Sequence, residues 1–176
     1  MKRVLKDQSG FTLVEMIIVI IIMGILAAVI VPQIGTTSDD AKLSAIKQDL
    51  SSMRNAVEIY YSQHNSAYPG ARDVDGNPPA DDTAAATAFV RQLTEYTDVN
   101  GDCVGVKDAT HKYGPYVKGG QLPVNPFNDS NAVTCDGAET DITVRTSDGT
   151  NTAGWHFRTQ TGVLVANDSD PHATGL

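Results

Sequence analysis

Glu15 is the one ionisable side chain in an apolar run that extends from Phe11 to Val31. An ionised carboxylate that faces lipid costs about 3 kcal/mol or more, so an acid in such a run is expected to have a partner. No basic residue lies within the run. Cleavage of the chain between Gly10 and Phe11 would create an α-amine four residues before Glu15, on the same face of a helix. We therefore expect the new terminus of a neighbouring copy to neutralise Glu15.

Cys103 and Cys135 form a second pair of residues that could react with each other. Both follow the apolar run, in a part of the chain that we expect in an oxidising compartment, where disulfides persist. Closing a loop of about 30 residues would stabilise the fold by about 3 to 4 kcal/mol in the chain-entropy model. The pattern predicts a disulfide between these cysteines, and two unrelated buried thiols are the alternative.

Oxygen ligands for calcium are a third kind of candidate site. The acids that could supply them are Asp129, Asp136, Glu139 and Asp141. Two other segments, 73–77 and 98–102, place acids or amides at alternating positions, but neither continues with the glycine and glutamate of an EF-hand loop. Tight turns are expected there instead. A structural calcium ion therefore stays open, with no ligand set assigned and no cofactor required.

Catalytic patterns find little support in the sequence. The histidines, His64, His111, His156 and His172, are scattered, with no two at metal-binding helical spacing. The chain has no nucleophile elbow and no phosphate loop. We expect each histidine to be a surface or packing residue and the protein not to be an enzyme.

The apolar run is long enough to cross a membrane. Its 21 residues would form a helix of about 31 Å, the thickness of a bilayer's hydrocarbon core. Basic residues precede the run and Asp39 and Asp40 follow it, which favours a cytoplasmic N-terminus. The net charge is −8, and without the first ten residues 10 basic and 20 acidic side chains remain. Such an acidic surface repels phosphate backbones, so nucleic acid is not an expected partner.

Together these features resemble a known kind of N-terminal segment. The sequence KDQSGFTLVE, followed by an apolar helix, is similar to the class III signal of type IV pilins and type II secretion pseudopilins. The positions that match residue by residue are Gly10, Phe11, Thr12, Leu13 and Glu15. The resemblance implies that a prepilin peptidase removes the leader, residues 1–10, and methylates Phe11. An uncleaved anchor with an isolated acid is the alternative.

The resemblance also implies an assembly pathway. Residues 11–35 would be a transmembrane helix in the inner membrane and then part of a filament core, and residues 36–176 a periplasmic or extracellular head. The implied partners are further copies of the chain, the inner-membrane assembly platform, a cytoplasmic motor ATPase and minor pseudopilins. Assembly would depend on Phe11, Glu15 and Pro32. In related filaments the helix is bent or melted near the matching proline, since proline removes a backbone hydrogen bond; a simple kink at the membrane surface is the alternative.

After Pro32 the pattern becomes amphipathic. Apolar residues recur at spacings of three and four, namely Leu43, Ile46, Leu50, Met53, Val57 and Tyr60. This pattern predicts one helix from Phe11 to about His64, interrupted near the proline. A second helix is predicted from about Thr83 to Tyr96, with Asp81 or Asp82 as its N-cap.

Short strands and turns are predicted for the C-terminal part. The predicted strands are GPYVKG, ITVRT, GWHFRT and GVLVAN, and the last two would form a hairpin through residues 160–162. The predicted fold class is α+β and pilin-like. A long N-terminal α-helix, with a hydrophobic half and an amphipathic half, would pack on a small C-terminal antiparallel β-sheet.

Three functions follow from these patterns. The segments AIKQDLSSMRNAVEIYYSQHNSAYPG, LPVNPF and the closing hairpin resemble the major pseudopilin, which implies a structural subunit of a type II secretion pseudopilus. A type IV pilus subunit for adhesion, motility or DNA uptake is the alternative, because a Cys103–Cys135 pair is not typical of major pseudopilins. A membrane-anchored enzyme or ligand-binding module is a third possibility.

Overall fold

The computed structural model describes residues 10–150, 152–168, 172, 174 and 176, without the side chains of residues 28–38. The chain divides into two compact units, Met1–Ala41 and Lys42–Leu176. The second unit, which we call the head, contains every strand described below.

The long helix α1 extends over Leu13–Gln63 as a single element. Its helical backbone continues across Pro32, so the predicted interruption is wrong for the backbone, and the side chain of Pro32 lies outside the described side chains. The helix ends where Asn65 and Ser66 adopt positive φ angles of 53° and 59°. A backbone hydrogen bond of 3.2 Å from Ser66 N–H to the Tyr61 carbonyl closes this end. This left-handed turn is a common way to satisfy the last carbonyls of a helix.

The core of the head is built on one stripe of α1. Ile46, Leu50, Met53 and Val57 are almost completely buried, as the periodicity predicted. They belong to one cluster with aromatic side chains from the rest of the head, Phe89, Trp155 and Phe157. Phe89 and Phe157 lie in direct contact, with ring centroids 4.5 Å apart. Amphipathic patterning thus correctly identified which face of the helix is buried.

The second helix, α2, extends over Asp82–Thr94. Asp81 is its N-cap, and the Asp81 carboxylate accepts a hydrogen bond of 2.8 Å from Ala84 N–H. The other end is closed by the following chain, since Tyr116 N–H and Val117 N–H both donate to the Leu93 carbonyl. The predicted helix and its cap are confirmed.

Among the residues that the structure describes, five short strands form two sheets. They are β1 (Tyr96–Thr97), β2 (Cys103–Val104), β3 (Val133–Asp136), β4 (Trp155–Arg158) and β5 (Leu164–Ala166). β1 and β2 pair antiparallel, while the second sheet has the order β3-β4-β5, parallel between β3 and β4 and antiparallel between β4 and β5. The α+β class and the closing hairpin are confirmed. The larger sheet is mixed instead of wholly antiparallel.

Two predicted strands are wrong, and three strands, β1, β2 and β3, were missed. GPYVKG lies at the end of α2, where its backbone N–H groups bond to Leu93 as described above. ITVRT forms a local turn, since Thr143 donates to the Asp141 carboxylate from its backbone and its hydroxyl. Such local bonds compete with a β-ladder. β3 was missed because a parallel strand needs a long crossover and has no hairpin signal in the sequence.

Candidate assembly site at the start of the long helix

Thr12 and Glu15 form a reciprocal cap on the first turn of α1. Glu15 Oε2 accepts hydrogen bonds from the Thr12 backbone N–H (2.7 Å) and from the Thr12 hydroxyl (2.6 Å). Thr12 Oγ1 accepts one from Glu15 N–H (3.2 Å). This is a capping box, in which a threonine and a glutamate three residues later satisfy helix-terminal donors. It explains why α1 begins at Leu13.

The cap changes the description of Glu15 that the sequence suggested. The carboxylate has partners in its own chain, but both donors come from Thr12 and neither carries a charge. An ionised carboxylate can accept about four hydrogen bonds, so these two leave it able to bind a cation as well. Sequence reasoning missed the cap, although the spacing T-x-x-E was visible.

The first turns of α1 are apolar on all sides and exposed on all sides. Between Phe11 and Leu26 the large hydrophobic side chains are 42 to 85% exposed. Gly24 interrupts them, and no heavy atom lies within 4 Å of where its Cβ would be. A contiguous apolar surface of this extent marks a site of interaction with another protein or a membrane. Gly24 would let another backbone approach closely.

No helix in the described part of the chain has an apolar stretch long enough to cross a membrane.

The Gly10–Phe11 junction lies just outside α1. Phe11 is 85% exposed, and the surroundings of Gly10 are open to 4 Å. A peptidase could reach this bond without unfolding the helix. Residues 1–9 of the predicted leader fall outside the described residues.

The predicted Cys103–Cys135 disulfide is not formed. Both residues are free, buried thiols. Cys103 lies on β2, where its carbonyl is 3.4 Å from Arg91 Nη2 near the end of α2, while Cys135 shares a groove with Asp82 at the start of α2. Nine residues of helix separate those two contacts, about 14 Å. The structure thus contains two separate buried thiols, as in the alternative to the disulfide.

The candidate calcium ligands do not converge. Among the described residues, no three metal-binding side chains form a group that could hold an ion. Asp136 and Asp141 each accept backbone N–H bonds from residues just after them, as turn-forming aspartates do. The segments 73–77 and 98–102 are tight turns as predicted: Asp73 and Asp98 each accept two backbone N–H groups of their own loop.

Two histidines have contrasting surroundings in the head. His64 is buried, with Nδ1 2.8 Å from the Tyr60 carbonyl and Nε2 2.8 Å from Thr97 Oγ1. A neutral ring fits these partners, and burial lowers the pKa of His64. His111 lies between two acids, Asp108 at 2.9 Å from Nδ1 and Asp102 at 3.3 Å from Nε2. These carboxylates raise the pKa of His111, Asp108 contributing most. His64 therefore serves the packing of the head, whereas His111 connects Asp102 and Asp108.

Comparison with known proteins bears on the N-terminal region. Residues 5–31 match the sequence family described as the prokaryotic N-terminal methylation motif. The match includes the Gly10–Phe11 junction, Glu15 and the apolar run, and the resemblance inferred from the sequence is confirmed.

Several curated proteins are similar to the chain over its N-terminal part. The type II secretion system core protein G of Pseudomonas aeruginosa is 42% identical over 67 residues, 38% of this chain and 46% of that protein. The protein of the same name from Vibrio cholerae is 38% identical over 65 residues, 37% of this chain and 44% of that protein. The type IV major fimbrial protein FimA of Dichelobacter nodosus is 35% identical over 88 residues, 46% of this chain and 56% of that protein.

The aligned regions span about half the length of these curated relatives. No solved structure matches the chain. The likeness therefore concerns the methylation motif, the apolar helix and the beginning of the head.

Proposed function

We propose that this protein is a structural subunit of a type II secretion pseudopilus. The observation that carries the proposal is the apolar surface of α1, exposed on every side and lying within the segment that matches the methylation motif. Relatives named as type II secretion system core protein G, at 35 to 42% identity in P. aeruginosa, V. cholerae and Klebsiella pneumoniae, support this function. The subunit would help to drive protein secretion across the outer membrane.

Assembly would proceed in three steps. A prepilin peptidase cuts after Gly10, the amine of Phe11 becomes methylated, and the apolar helix leaves the inner membrane to pack against other copies. In that low-dielectric core the Phe11 amine of one copy pairs with Glu15 of its neighbour. Removal of one partner from a buried ion pair typically costs about 3 to 5 kcal/mol, because the other charge is stranded. The pair would therefore fix the axial register of the subunits.

The remaining partners and the location follow from the same proposal. The chain would be held in the inner membrane with its head in the periplasm, and it would meet the assembly platform, the motor ATPase and minor pseudopilins. Pro32 would adjust the helix inside the filament core. The role is structural, with no reaction catalysed by the chain itself.

A type IV pilus subunit is the second candidate. The similarity to FimA favours it, because that alignment covers more of this chain than the alignments with core protein G described above. The two candidates share the assembly chemistry and differ in their readouts. Loss of the gene would abolish secretion of folded proteins for a pseudopilus, and surface filaments with motility or adhesion for a pilus.

The decisive experiment compares Glu15→Gln with Glu15→Ala in cells that carry the rest of the system. Glutamine can take the glutamate position of a capping box but has no charge. Charge pairing predicts that both variants fail to form filaments in electron micrographs and fail to secrete. A purely structural cap predicts filaments from Glu15→Gln and none from Glu15→Ala.

Mass spectrometry of the mature chain provides the matching control. Both variants should begin with methylated Phe11, like the wild type, so that a loss of filaments reflects assembly and not processing. A mature chain that retains residues 1–10 would contradict the processing step. Normal secretion and motility in a deletion strain would contradict both functions.

A further inference from the structure

In the described part of the head, two grooves lie beside α1, one on each flank. The first, which we call the Asp49 groove, is a cavity of about 550 Å³ between Asp49, Ser52 and Met53 of α1 and the segment 116–124. The second, which we call the Arg145 groove, is a cavity of about 420 Å³ between Arg54 and Glu58 of α1, the segment 142–145 and the tip of the β4–β5 hairpin. Asp49 and Arg54 are five residues apart, about 140° around the helix, and the buried stripe lies between them.

Asp49 is an unpaired acid in the first groove. It is half-buried, and in the described part of the head it accepts no hydrogen bond and forms no ion pair. Burial raises the pKa of the Asp49 carboxyl. Lys118 lines the same groove without lying within ion-pair distance of it. Met53 and Leu122 form an apolar wall beside the carboxylate, and a 48% exposed Val124 stands at the edge.

Arg145 is an unpaired base in the second groove. It is exposed and forms no hydrogen bond or ion pair with the described residues, although Glu58 lines the same groove. Arg54, its basic neighbour, is already engaged, since its guanidinium donates to the carbonyl of Leu164 at 2.8 Å. Ile142, three residues before Arg145, is 65% exposed. Each groove therefore combines an unpaired charge with an exposed aliphatic side chain, and the two charges have opposite sign.

We propose that Arg145 of one copy enters the Asp49 groove of a second copy, so that adjacent heads are joined by this contact. The apolar wall would cover the aliphatic stem of the arginine, and the Asp49 carboxylate would receive its guanidinium. Ile142 of the first copy would lie near Val124 of the second. The head, residues 42–176, has 10 basic and 17 acidic side chains, so two heads repel in general and a specific contact between unlike charges selects one orientation.

The positions of the two grooves also determine the kind of assembly that this contact would form. The two grooves are different surfaces of one chain, so the contact is heterologous and leaves one groove free on each end copy. Repetition of such a contact gives a ring or an open helical filament. This inference rests on the proposed function, and it adds a contact between heads to the one proposed between the apolar helices.

Charge reversal tests the contact in cells that assemble the full chain. Asp49→Arg and Arg145→Asp should each reduce the amount of sheared filament about tenfold or more, because like charges then face each other. The double variant Asp49→Arg/Arg145→Asp should restore filaments to within about twofold of the wild type, since the pair is re-formed with its signs exchanged. Lys112→Asp, an exposed basic residue away from both grooves, is the matched control and should leave the yield unchanged.

Cysteine cross-linking tests the same contact if a charge reversal disturbs folding. The chain with both Asp49→Cys and Arg145→Cys should form disulfide-linked ladders of copies on oxidation, whereas each single variant should not. The native cysteines are buried and provide a silent background. Wild-type yields from either single reversal, no rescue in the double variant, or no ladder would overturn the head contact. A wild-type strain without filaments would instead overturn the proposed function.

Discussion

The two ends of α1 differ in whether their apolar side chains are buried within the chain. From residue 42 onward the helix has one apolar stripe, and that stripe is buried by α2 and the larger sheet of the same chain. Between residues 13 and 26 the helix is apolar all round, and its large side chains are exposed. Burial of apolar surface stabilises by about 25 cal/mol per Å². Association of the exposed end with another apolar surface would therefore be strongly favourable. The difference indicates that the head is complete by itself and that the apolar end requires a partner.

The largest effect should come from equal truncations at the two ends. Leu50→Ala removes a side chain that is 1% exposed and should lower the free energy of unfolding of the head by about 2 to 5 kcal/mol, since it leaves a cavity. Ile20→Ala should change it by less than about 0.5 kcal/mol. Denaturation of the full chain in detergent, followed by the fluorescence of the single tryptophan, Trp155, measures both. Equal losses would show that the two ends do not differ in this way.

Close packing inside the head should give the next effect. A Cβ added at Gly154 would overlap the carbonyl oxygen of Ser130 and lie 3.1 Å from Asn125 Cβ. Gly154→Ala should therefore destabilise the head by about 1 to 3 kcal/mol in the same denaturation assay. Gly105→Ala is the matched control, because no atom lies within 4 Å of its Cβ position. A neutral Gly154→Ala would mean that this part of the head is loosely packed.

The N-caps of α1 and α2 should differ in their effect on the head. Asp81→Ala removes the N-cap of α2 and should lower the unfolding free energy of the head by about 1 kcal/mol. Asp81→Ser should lower it much less, because serine can also cap a helix. Thr12→Ala removes the cap of α1 but should leave the unfolding of the head unchanged, because Thr12 belongs to the other unit. Circular dichroism and tryptophan fluorescence on the same samples separate helix loss from head unfolding. A head destabilised by Thr12→Ala would contradict the independence of the two units.

The smallest effect should be the contribution of histidines to the pH dependence of the unfolding free energy of the head. The pKa of His64 is lowered in the folded state from 6.5, so the unfolded chain binds more protons between the two values. The contribution of His64 is therefore full above pH 6.5 and is lost as the pH falls through its folded pKa. His64→Asn should flatten the fall in unfolding free energy between about pH 7 and about pH 5. An identical slope in both proteins would show that the ring titrates normally.

His111 should act in the opposite direction. Its pKa is raised in the folded state, so its contribution is present below pH 6.5 and is lost as the pH rises through the folded value. His111→Asn should therefore reduce the loss of unfolding free energy on the alkaline side of pH 6.5. Comparison of the two variants separates the two titrations in one set of denaturation curves. A change confined to the acidic side would contradict the ion contacts with Asp102 and Asp108.

Local patterns predicted the elements that local forces form. The stripe of α1, the N-cap at Asp81 and the turn between β4 and β5 each depend on residues within a few positions of one another. The cap between Thr12 and Glu15 is equally local, and it was missed because the acid was interpreted only as a charge in an apolar run. Attention to hydrogen bonding as well as to charge would have identified it.

Local sequence patterns did not predict contacts between residues that are far apart in the chain. β3 pairs with β4 across a crossover of 18 residues, from 137 to 154, with no short-range signal. The ITVRT segment has strand-forming residues but no partner strand, so its local turn prevails. Nothing in the spacing of the two cysteines reveals that they contact different ends of α2.

The sequence by itself determined the start of α1, the match to the methylation motif, the apolar surface and the face of the helix that enters the core, because side-chain chemistry and helical periodicity act over a few residues. Only the tertiary structure decided that Cys103 and Cys135 stay apart and that Asp49 and Arg145 lie in separate grooves. The physical reason is that these positions depend on how α2, the sheet and the long loops pack. Many weak contacts fix that packing together, and no short stretch of sequence records it.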